Sequence, residues 1–286
     1  MSQFPPKTIL CAVDLSSASP IVLSWAGMLA RAYDARLQIL HAESAEYPRY
    51  FLPSQAGELA AAGERVRSAI REDLKRLVDE NIPAQTSYEI TVLEGHPVER
   101  ILEFAKQQRP DLIVMGSHGR SGYARLRLGS VAESVVQQAI LPTLVVRARG
   151  GKPAPQKIAS ILCPVTFDEH ATQSILISAA LAATSGGNLI VMHAEEGGLS
   201  PDVNGKQLCD LVPASVRSHC TVIEVVRQGS AAEQILLAAR EHDADVIVLT
   251  AKHRRFLDLS VIGNTTEKVM RHADSTVLVL PVGADG

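Results

Sequence analysis

The stretch from Asp111 to Ala132, DLIVMGSHGRSGYARLRLGSVA, decides how the rest of this chain is interpreted. An apolar run from Leu112 to Met115 predicts a buried strand that stops at Gly116. Gly119 follows after two residues, and Gly129-Ser130 follows after nine more, where an apolar helical pattern begins. The stretch therefore predicts a strand, then a loop that contains glycines, then a helix.

The predicted loop has the properties of a phosphate-binding cradle. Glycines allow the backbone to approach a ligand closely, and we expect them at positive φ. The start of a helix offers unpaired N–H groups and the positive end of its dipole to an anion. The stretch has neither the G-x-x-x-x-G-K-[ST] nor the G-x-G-x-x-G spacing of two better-known loops. The alternative is a glycine-rich loop that only turns the chain.

Length and composition indicate two ordinary globular domains. The 286 residues are 46% hydrophobic but only 4% aromatic, so the cores must be built from Leu, Ile, Val and Ala. A net charge of −3 gives no electrostatic footprint for nucleic acid, and no polybasic patch points to a membrane. The first ten residues lack the apolar core of a signal peptide, and no apolar run is long enough to span a bilayer. We expect a cytoplasmic protein without nucleic-acid or membrane partners.

The four cysteines do not indicate a metal or redox motif, since no C-x-x-C pair occurs. Cys11 and Cys163 lie in the apolar runs ILCAV and ILCPV, where a reduced thiol behaves as a small core residue. Cys209 and Cys220 lie in a less regular stretch.

One pattern of strands and helices occurs twice along the chain. The ILC and HAE triplets of the first half recur 152 residues later, and DLIVM at Asp111 recurs as DVIVL at Asp245, 134 residues later. The second copy is therefore shorter, and the missing part falls on an aromatic loop and on a long amphipathic helix expected at residues 55–80. The Gly- and Pro-rich segment 149–156 is the expected linker. The predicted modules are residues 1–149 and 157–286.

The alternation of strands and helices predicts an α/β fold with a parallel sheet covered by helices on both faces. Five strands in each module, with right-handed crossovers, fit a flavodoxin-like, Rossmann-like sheet of order 3-2-1-4-5. Strands 1 and 4 are neighbours at the switch point of that order, where such sheets bind ligands. Asp14 at the end of strand 1 and the loop at Gly116 should therefore meet at one crevice.

The G-x2-G-x9-G-S pattern, after a strand that ends in Met-Gly-Ser-His-Gly, resembles the ATP-binding signature of the universal stress protein family. With two copies, the whole chain resembles a tandem-type member. The resemblance implies a stress-response protein that binds an adenine nucleotide, ATP or ADP or AMP, together with Mg²⁺. Carried over by matching position, the implied nucleotide-binding residues are Ala12, Val13, Asp14, Ala42, Met115, Gly116, His118, Gly119, Gly129, Ser130 and Val131. Ala12-Val13 departs from the family, where many members have Pro and a small or hydroxyl residue.

Several of these residues have alternative structural roles. Asp14 is expected to accept from a ribose hydroxyl or to help hold Mg²⁺, and the alternative is a helix cap. Ser130 is expected to donate to phosphate or to contact the metal, and its alternative is an N-cap hydroxyl. For His118 an imidazole satisfied within the loop is the favoured interpretation, and the alternative is a contact with phosphate or a role as an acid–base group. Arginines of the loop offer charge to a phosphate or remain solvated, namely Arg120, Arg125 and Arg127.

The second copy departs from this pattern at most of its positions. Thr166 stands in the place of Asp14, while Thr250 and His253 replace Gly116 and Gly119. Gly263-Asn264 retains only the last glycine, and the bulky run Arg254-Arg255-Phe256 fills the loop. Because these side chains would occupy the path of the phosphates, we expect a degenerate nucleotide site in the second module.

No catalytic residue is predicted, since neither a G-x-S-x-G elbow nor a recognisable pair of nucleophile and base occurs. The favoured interpretation is a nucleotide-dependent sensor or regulator. A slow ATPase or phosphotransfer enzyme that uses the same site is one alternative. An adaptor or structural protein with a vestigial site is the other.

Strand five of each module should be an apolar sheet edge, and such edges must be covered. The linker is short, so the simplest solution pairs PTLVVRA from Pro142 with STVLVLPV from Ser275 within one chain. This predicts an intramolecular pseudo-dimer in which Val145 and Val146 face residues 278–280. The long helix and aromatic loop of the first module then remain available for a homodimer contact.

Overall fold

The computed structural model describes residues 4–43, 56–118, 128–148, 155–196, 208, 210–252, 254–256, 259–261 and 263–282. The first half contains β1 (Thr8–Ala12), α1 (Ser19–Tyr33), β2 (Arg36–Glu43), α2 (Ala56–Asn81), β3 (Tyr88–Glu94), α3 (Pro97–Gln108), β4 (Leu112–Gly116), α4 (Ser130–Gln138) and β5 (Thr143–Val146). The second half contains β6 (Ser160–Pro164), α5 (Ala171–Ala183), β7 (Asn188–Glu195), α6 (Ala214–Arg217), β8 (Thr221–Gln228), α7 (Ala231–Glu241), β9 (Val246–Lys252), β10 (Arg254–Phe256), β11 (Leu259–Val261), α8 (Asn264–His272) and β12 (Thr276–Val282).

Helix boundaries follow from local signals in the sequence. Pro20 in α1 and Pro97 in α3 lie in the first turn, where a missing N–H costs nothing. The same two helices end at residues in the left-handed conformation, Asp34 with φ 51° and Arg109 with φ 50°. Glycine with strongly positive φ closes the turn between the third strand and the next helix in both modules, at Gly95 and Gly229.

The main sheet has ten strands in the order β3-β2-β1-β4-β5-β12-β9-β6-β7-β8. Each half of this order is 3-2-1-4-5, which confirms the predicted topology. An aspartate before the fourth strand makes the same hydrogen bond in each half. Asp111 Oδ2 accepts from the backbone N–H of Thr8 at 2.9 Å, and Asp245 Oδ2 accepts from the backbone N–H of Ser160 at 3.2 Å. The repeat seen in the sequence is therefore a repeat of hydrogen bonds as well as of apolar runs.

The two halves meet where β5 pairs with β12 in antiparallel orientation. Thr143, Leu144 and Val145 lie opposite Val279, Leu278 and Val277 respectively. The predicted pairing of the fifth strands is present, but its predicted register is wrong, because Val145 faces Val277 and not residues 278–280. Beside this join the buried Arg147 guanidinium donates to the carbonyl oxygen of Met270, and burial lowers the pKa of Arg147 from its ordinary value.

The halves differ in two elements of secondary structure. The first half carries the long helix α2, which packs on α1 and buries Leu74 and Val78 completely. The second half carries the short antiparallel hairpin β10–β11, which the sequence analysis did not predict. Strand β11 of this hairpin lies against α4 of the first half. None of the helices in the described ranges is long and apolar enough to cross a bilayer.

Burial of two cysteines makes a chemical prediction. Burial raises the pKa of Cys11 to about 12 and that of Cys163 to about 11; partial burial also raises the pKa of Cys220, but its side chain remains partly exposed. Since the thiolate is the nucleophile, iodoacetamide at about pH 8 should label Cys220 in the folded protein and leave the other two thiols unmodified. Mass spectrometry of folded and urea-unfolded samples measures this. Labelling of Cys11 in the folded protein as fast as that of Cys220 would contradict the packing; Cys209 lies outside the described residues.

Candidate functional site

A cavity of about 390 Å³ opens at the carboxyl ends of β1, β2 and β4, beside the first turns of α1, α3 and α4. Every predicted site residue that the structure describes lines it, namely Ala12, Val13, Asp14, Ala42, Met115, Gly116, His118, Gly129, Ser130 and Val131. Predicted residues outside the described ranges are Gly119, Arg120, Arg125 and Arg127. The structure thus brings residues that are far apart in the sequence to one crevice.

Sheet topology explains this convergence. Strands β1 and β4 are paired with Ala12 opposite Met115, so the chain leaves both strands at neighbouring points. The N–H of Gly129 then donates to the carbonyl oxygen of Ser117 at 2.8 Å, which closes the base of the loop. This bond brings the first turn of α4 against the end of β4.

The two described glycines of the cradle do not have the expected positive φ. Gly129 is the N-cap of α4 with φ −68° and ψ 143°, a conformation that any residue adopts. Gly116 is not among the described glycines of positive φ either. At Gly116 the requirement is space, since an added Cβ would lie 3.3 Å from the carbonyl oxygen of His118 and 3.4 Å from Cγ2 of Val22. The missing side chain at Gly116 therefore keeps the cavity wall low, and neither of these two glycines supplies an unusual backbone turn.

Asp14 lines the cavity, and its carboxylate is held by local hydrogen bonds. Its Oδ1 accepts from the N–H of Ser16 at 3.1 Å and from the hydroxyl of Ser19 at 3.2 Å. Helix α1 has Ala18 at its N-cap, so Asp14 orients the preceding turn and is not the capping residue. This arrangement fixes the direction of a negative group at the cavity wall.

Two other expectations about polar residues are resolved. Ser130 is the first residue of α4 and Gly129 is the N-cap, so the alternative role of Ser130 as an N-cap is wrong. His118 Nδ1 lies 2.8 Å from Oγ of Ser117, which agrees with an imidazole satisfied within the loop. Both side chains line the cavity.

Sequence reasoning missed the pair formed by His41 and Glu43. His41 is 1% exposed, and its Nδ1 lies 2.8 Å from the carbonyl oxygen of Val13, so Nδ1 must be the donor there. Its Nε2 lies 2.9 Å from Oε2 of Glu43, and both residues line the cavity. His193 repeats the first contact, with Nδ1 3.0 Å from the carbonyl oxygen of Val165, so the two histidines occupy equivalent positions in the two halves. The recurring HAE triplet was the signal that could have identified Glu43.

The remaining lining gives the cavity an apolar floor and a polar rim. Residues that the sequence analysis did not assign to the site are Ala18, Ser19, Val22, Leu40, His41, Glu43, Pro97, Ile101, Ser117 and Ala132. The first turns of three helices border the cavity, and each supplies the positive end of a dipole. A ligand with a flat apolar part and an anionic part fits this combination. Within the described ranges, no cluster of three or more His, Cys, Asp or Glu side chains is placed to hold a metal ion.

The same edge of the second half is built differently. Thr166, the counterpart of Asp14, donates its hydroxyl to Asp168 Oδ2 at 2.7 Å, and Asp168 Oδ1 accepts from the N–H of His170. Strand β9 continues through Thr250 to Lys252, whereas β4 ends at Gly116, the counterpart of Thr250. Extended strand and hairpin therefore occupy the position of the predicted loop entry; His253 lies outside the described residues.

Comparison with known proteins shows that both halves of the chain are similar to universal stress proteins. The sequence profile of the universal stress protein family matches residues 6–147 and again residues 157–281. A universal stress protein of Methanocaldococcus jannaschii is 33% identical over 141 residues, which cover 49% of this chain and 82% of that protein. The universal stress protein YxiE of Bacillus subtilis is 30% identical over 151 residues, covering 49% of this chain and 97% of that protein.

Among solved structures, a universal stress protein from Archaeoglobus fulgidus superposes with a TM-score of 0.74 over 98% of this chain and 100% of that chain. The sequence identity of this pair is 18%, so the similarity concerns the fold alone.

Proposed function

This chain belongs to the universal stress protein family as a tandem-type member, and we propose that it is a stress-response regulator that binds an adenine nucleotide in its first module. The observation that carries the proposal is the convergence of the predicted residues on one cavity of about 390 Å³. Cavities of this size are suited to small ligands and cofactors.

The lining suggests how ATP would lie in the cavity. The apolar floor, which includes Leu40 and Ile101, suits the adenine ring. The oriented carboxylate of Asp14 either accepts from a ribose hydroxyl or serves as a ligand of a nucleotide-bound metal ion. The phosphates lie toward Gly116 and the N–H groups at the start of α4, where the low wall and the helix dipole favour an anion.

The cavity also fits a nucleotide-bound Mg²⁺. This ion keeps several water molecules and takes its other ligands from phosphates and one or two protein oxygens. Asp14 and Ser130 both line the cavity with oxygen atoms and are the proposed protein ligands. Asp14 and Ser130 would hold the ion, which would neutralise part of the phosphate charge.

We assign the second module, residues 157–286, the role of an intramolecular partner with a degenerate nucleotide site. The hydroxyl of Thr166 in place of the Asp14 carboxylate and the continuation of β9 through Thr250 support this assignment. Pairing of β5 with β12 supports a pseudo-dimer within one chain. Apolar residues at this join cover the edges that would otherwise invite association.

One contact favours slow phosphoryl chemistry as a second candidate function. The Ser117 hydroxyl lies 2.8 Å from His118 Nδ1 beside the proposed phosphate site, and such a pair is the minimum of an activated nucleophile. Ser117 is 2% exposed, which restricts attack on a bound phosphate. A ³¹P NMR time course with ATP and Mg²⁺ distinguishes the two candidates, because a regulator leaves the γ-phosphate signal unchanged.

The proposed function predicts binding of one adenine nucleotide per chain, in the first module. Equilibrium dialysis of the full chain against ATP and Mg²⁺ should saturate at one equivalent, because only the first cavity has the Asp14 carboxylate and the low wall at Gly116. Saturation at two equivalent sites would overturn the degenerate second site. No saturation with ATP, ADP or AMP would overturn nucleotide binding itself and favour an adaptor.

A further inference from the structure

One arginine of the second module reaches the helix that borders the first module's cavity. Nη2 of Arg271, in α8, lies 3.1 and 3.2 Å from the two carboxylate oxygens of Glu133 in α4. Nε of the same guanidinium lies 3.0 Å from Oε1 of Glu267 within its own helix. The side chains of Arg271 and Glu133 are about one-third and one-quarter exposed, so the pair is partly shielded from water.

Glu133 lies close to the proposed phosphate site, at the same end of α4. It lies in the first turn of α4, and its N–H donates to the carbonyl oxygen of the cavity-lining Gly129 at 2.9 Å. It is three residues beyond Ser130, and residues at that spacing are neighbours on a helix surface. A carboxylate at the start of a helix interacts with the same positive dipole end that a phosphate uses. An unpaired Glu133 would therefore compete with and repel a polyphosphate.

Resting on the nucleotide site proposed above, we propose that Arg271 is a positioning residue supplied by the second module to the first module's phosphate site. It neutralises Glu133 and holds that carboxylate toward the join, so that the start of α4 remains available to phosphate. The second module thereby sets the preference of the first for nucleotides with more phosphate groups.

An arginine of the second module reaches the first module, but the first module has no arginine at the equivalent position. The first-module counterpart of Arg271 is Gln137, so the first module offers no equivalent guanidinium to Glu267. Arg147 donates to the carbonyl oxygen of Met270, the residue before Arg271, and this fixes the end of α8 at the join. The module that receives the arginine contact is therefore the same module to which we assign the nucleotide.

The test is calorimetric titration of the full chain with adenosine, AMP, ADP and ATP. Arg271→Ala should weaken ATP binding about two- to fivefold, as expected for one charge at a helix terminus, with a smaller loss for AMP and none for adenosine. Arg271→Lys should retain most of the affinity because the charge remains. The double variant Arg271→Ala/Glu133→Gln should recover ATP binding, because the competing carboxylate is removed together with its partner.

Arg240→Ala is the matched control, since Arg240 pairs with Asp274 within the second module at 3.4 Å. It should bind all four ligands like the wild type. An equal loss for all ligands in Arg271→Ala, or no recovery in the double variant, would assign the ion pair a structural role only and overturn the inference. In either case wild-type ATP binding would still support the proposed function, whereas a wild type that binds no nucleotide would overturn both.

Discussion

Val279→Asp should destabilise the whole chain by about 3–5 kcal/mol, the cost of a buried charge without a partner. Val279 is 2% exposed and lies in β12 between two neighbours, opposite Thr143 of β5 and Leu249 of β9. The surrounding core is apolar, so the carboxylate would either remain charged without compensation or become protonated at a cost. Urea denaturation measures the loss of unfolding free energy.

The same variant should also loosen the connection between the halves. Because β5 and β12 form the strand pairing between the halves, a charge there should increase proteolytic cleavage of the segment at residues 149–156. Val66→Asp is the matched control, since Val66 is 54% exposed on α2 and the same substitution there should leave stability nearly unchanged. Wild-type denaturation and cleavage of Val279→Asp would show that the fifth strands do not hold the halves together.

The topology could be predicted from the sequence because apolar runs report buried parallel strands directly. Runs such as Ile9–Ala12 and Leu112–Met115 are buried along their length, as expected for strands covered on both faces. The 3-2-1-4-5 order then made strands 1 and 4 neighbours, and with this the position of the cavity followed. Because the same sequence patterns recur 152 and 134 residues later, the second half could be predicted to have the same fold as the first.

The register of the pairing between β5 and β12 could not be predicted, because both strands are apolar along almost their whole length. Register is specified where apolar and polar residues alternate, and the strands TLVV and TVLVLPV show no such alternation. Every slip of one residue therefore leaves similar side chains opposite one another. The contact of Arg271 with Glu133, 138 residues apart, depends on that join and was equally inaccessible.

Glycine spacing identified the residues of the candidate site but not their conformations. The spacing predicted two backbone positions that line the cavity, Gly116 and Gly129, and the expectation of positive φ was then added from the general behaviour of glycine. The structure keeps Gly129 in the extended region, where a side chain is compatible with the backbone. A substitution at Gly129 therefore introduces no forbidden φ, and its effect on ligand binding comes from the space that the new side chain occupies and from the change of N-cap.

Gly129→Val should weaken ATP binding at least about tenfold, which corresponds to ~1.4 kcal/mol. Gly129 lines the cavity directly before the N–H groups of α4, and a branched side chain there occupies space assigned to phosphate. Valine is also a poorer N-cap than glycine, so some loss of helix stability is expected independently of the ligand. Calorimetric titration measures the affinity, and thermal unfolding without nucleotide measures the stability.

Gly263→Val separates these two effects. Gly263 is the N-cap of α8 with φ −60° and ψ 145°, nearly the conformation of Gly129, and an added Cβ meets no described atom within 4 Å. Both variants should therefore lose a similar amount of stability from capping, while only Gly129→Val should lose affinity for ATP. If the two variants bind ATP equally well, the start of α4 does not hold the phosphates, and the nucleotide would have to lie elsewhere in the cavity, nearer Asp14 and Glu43.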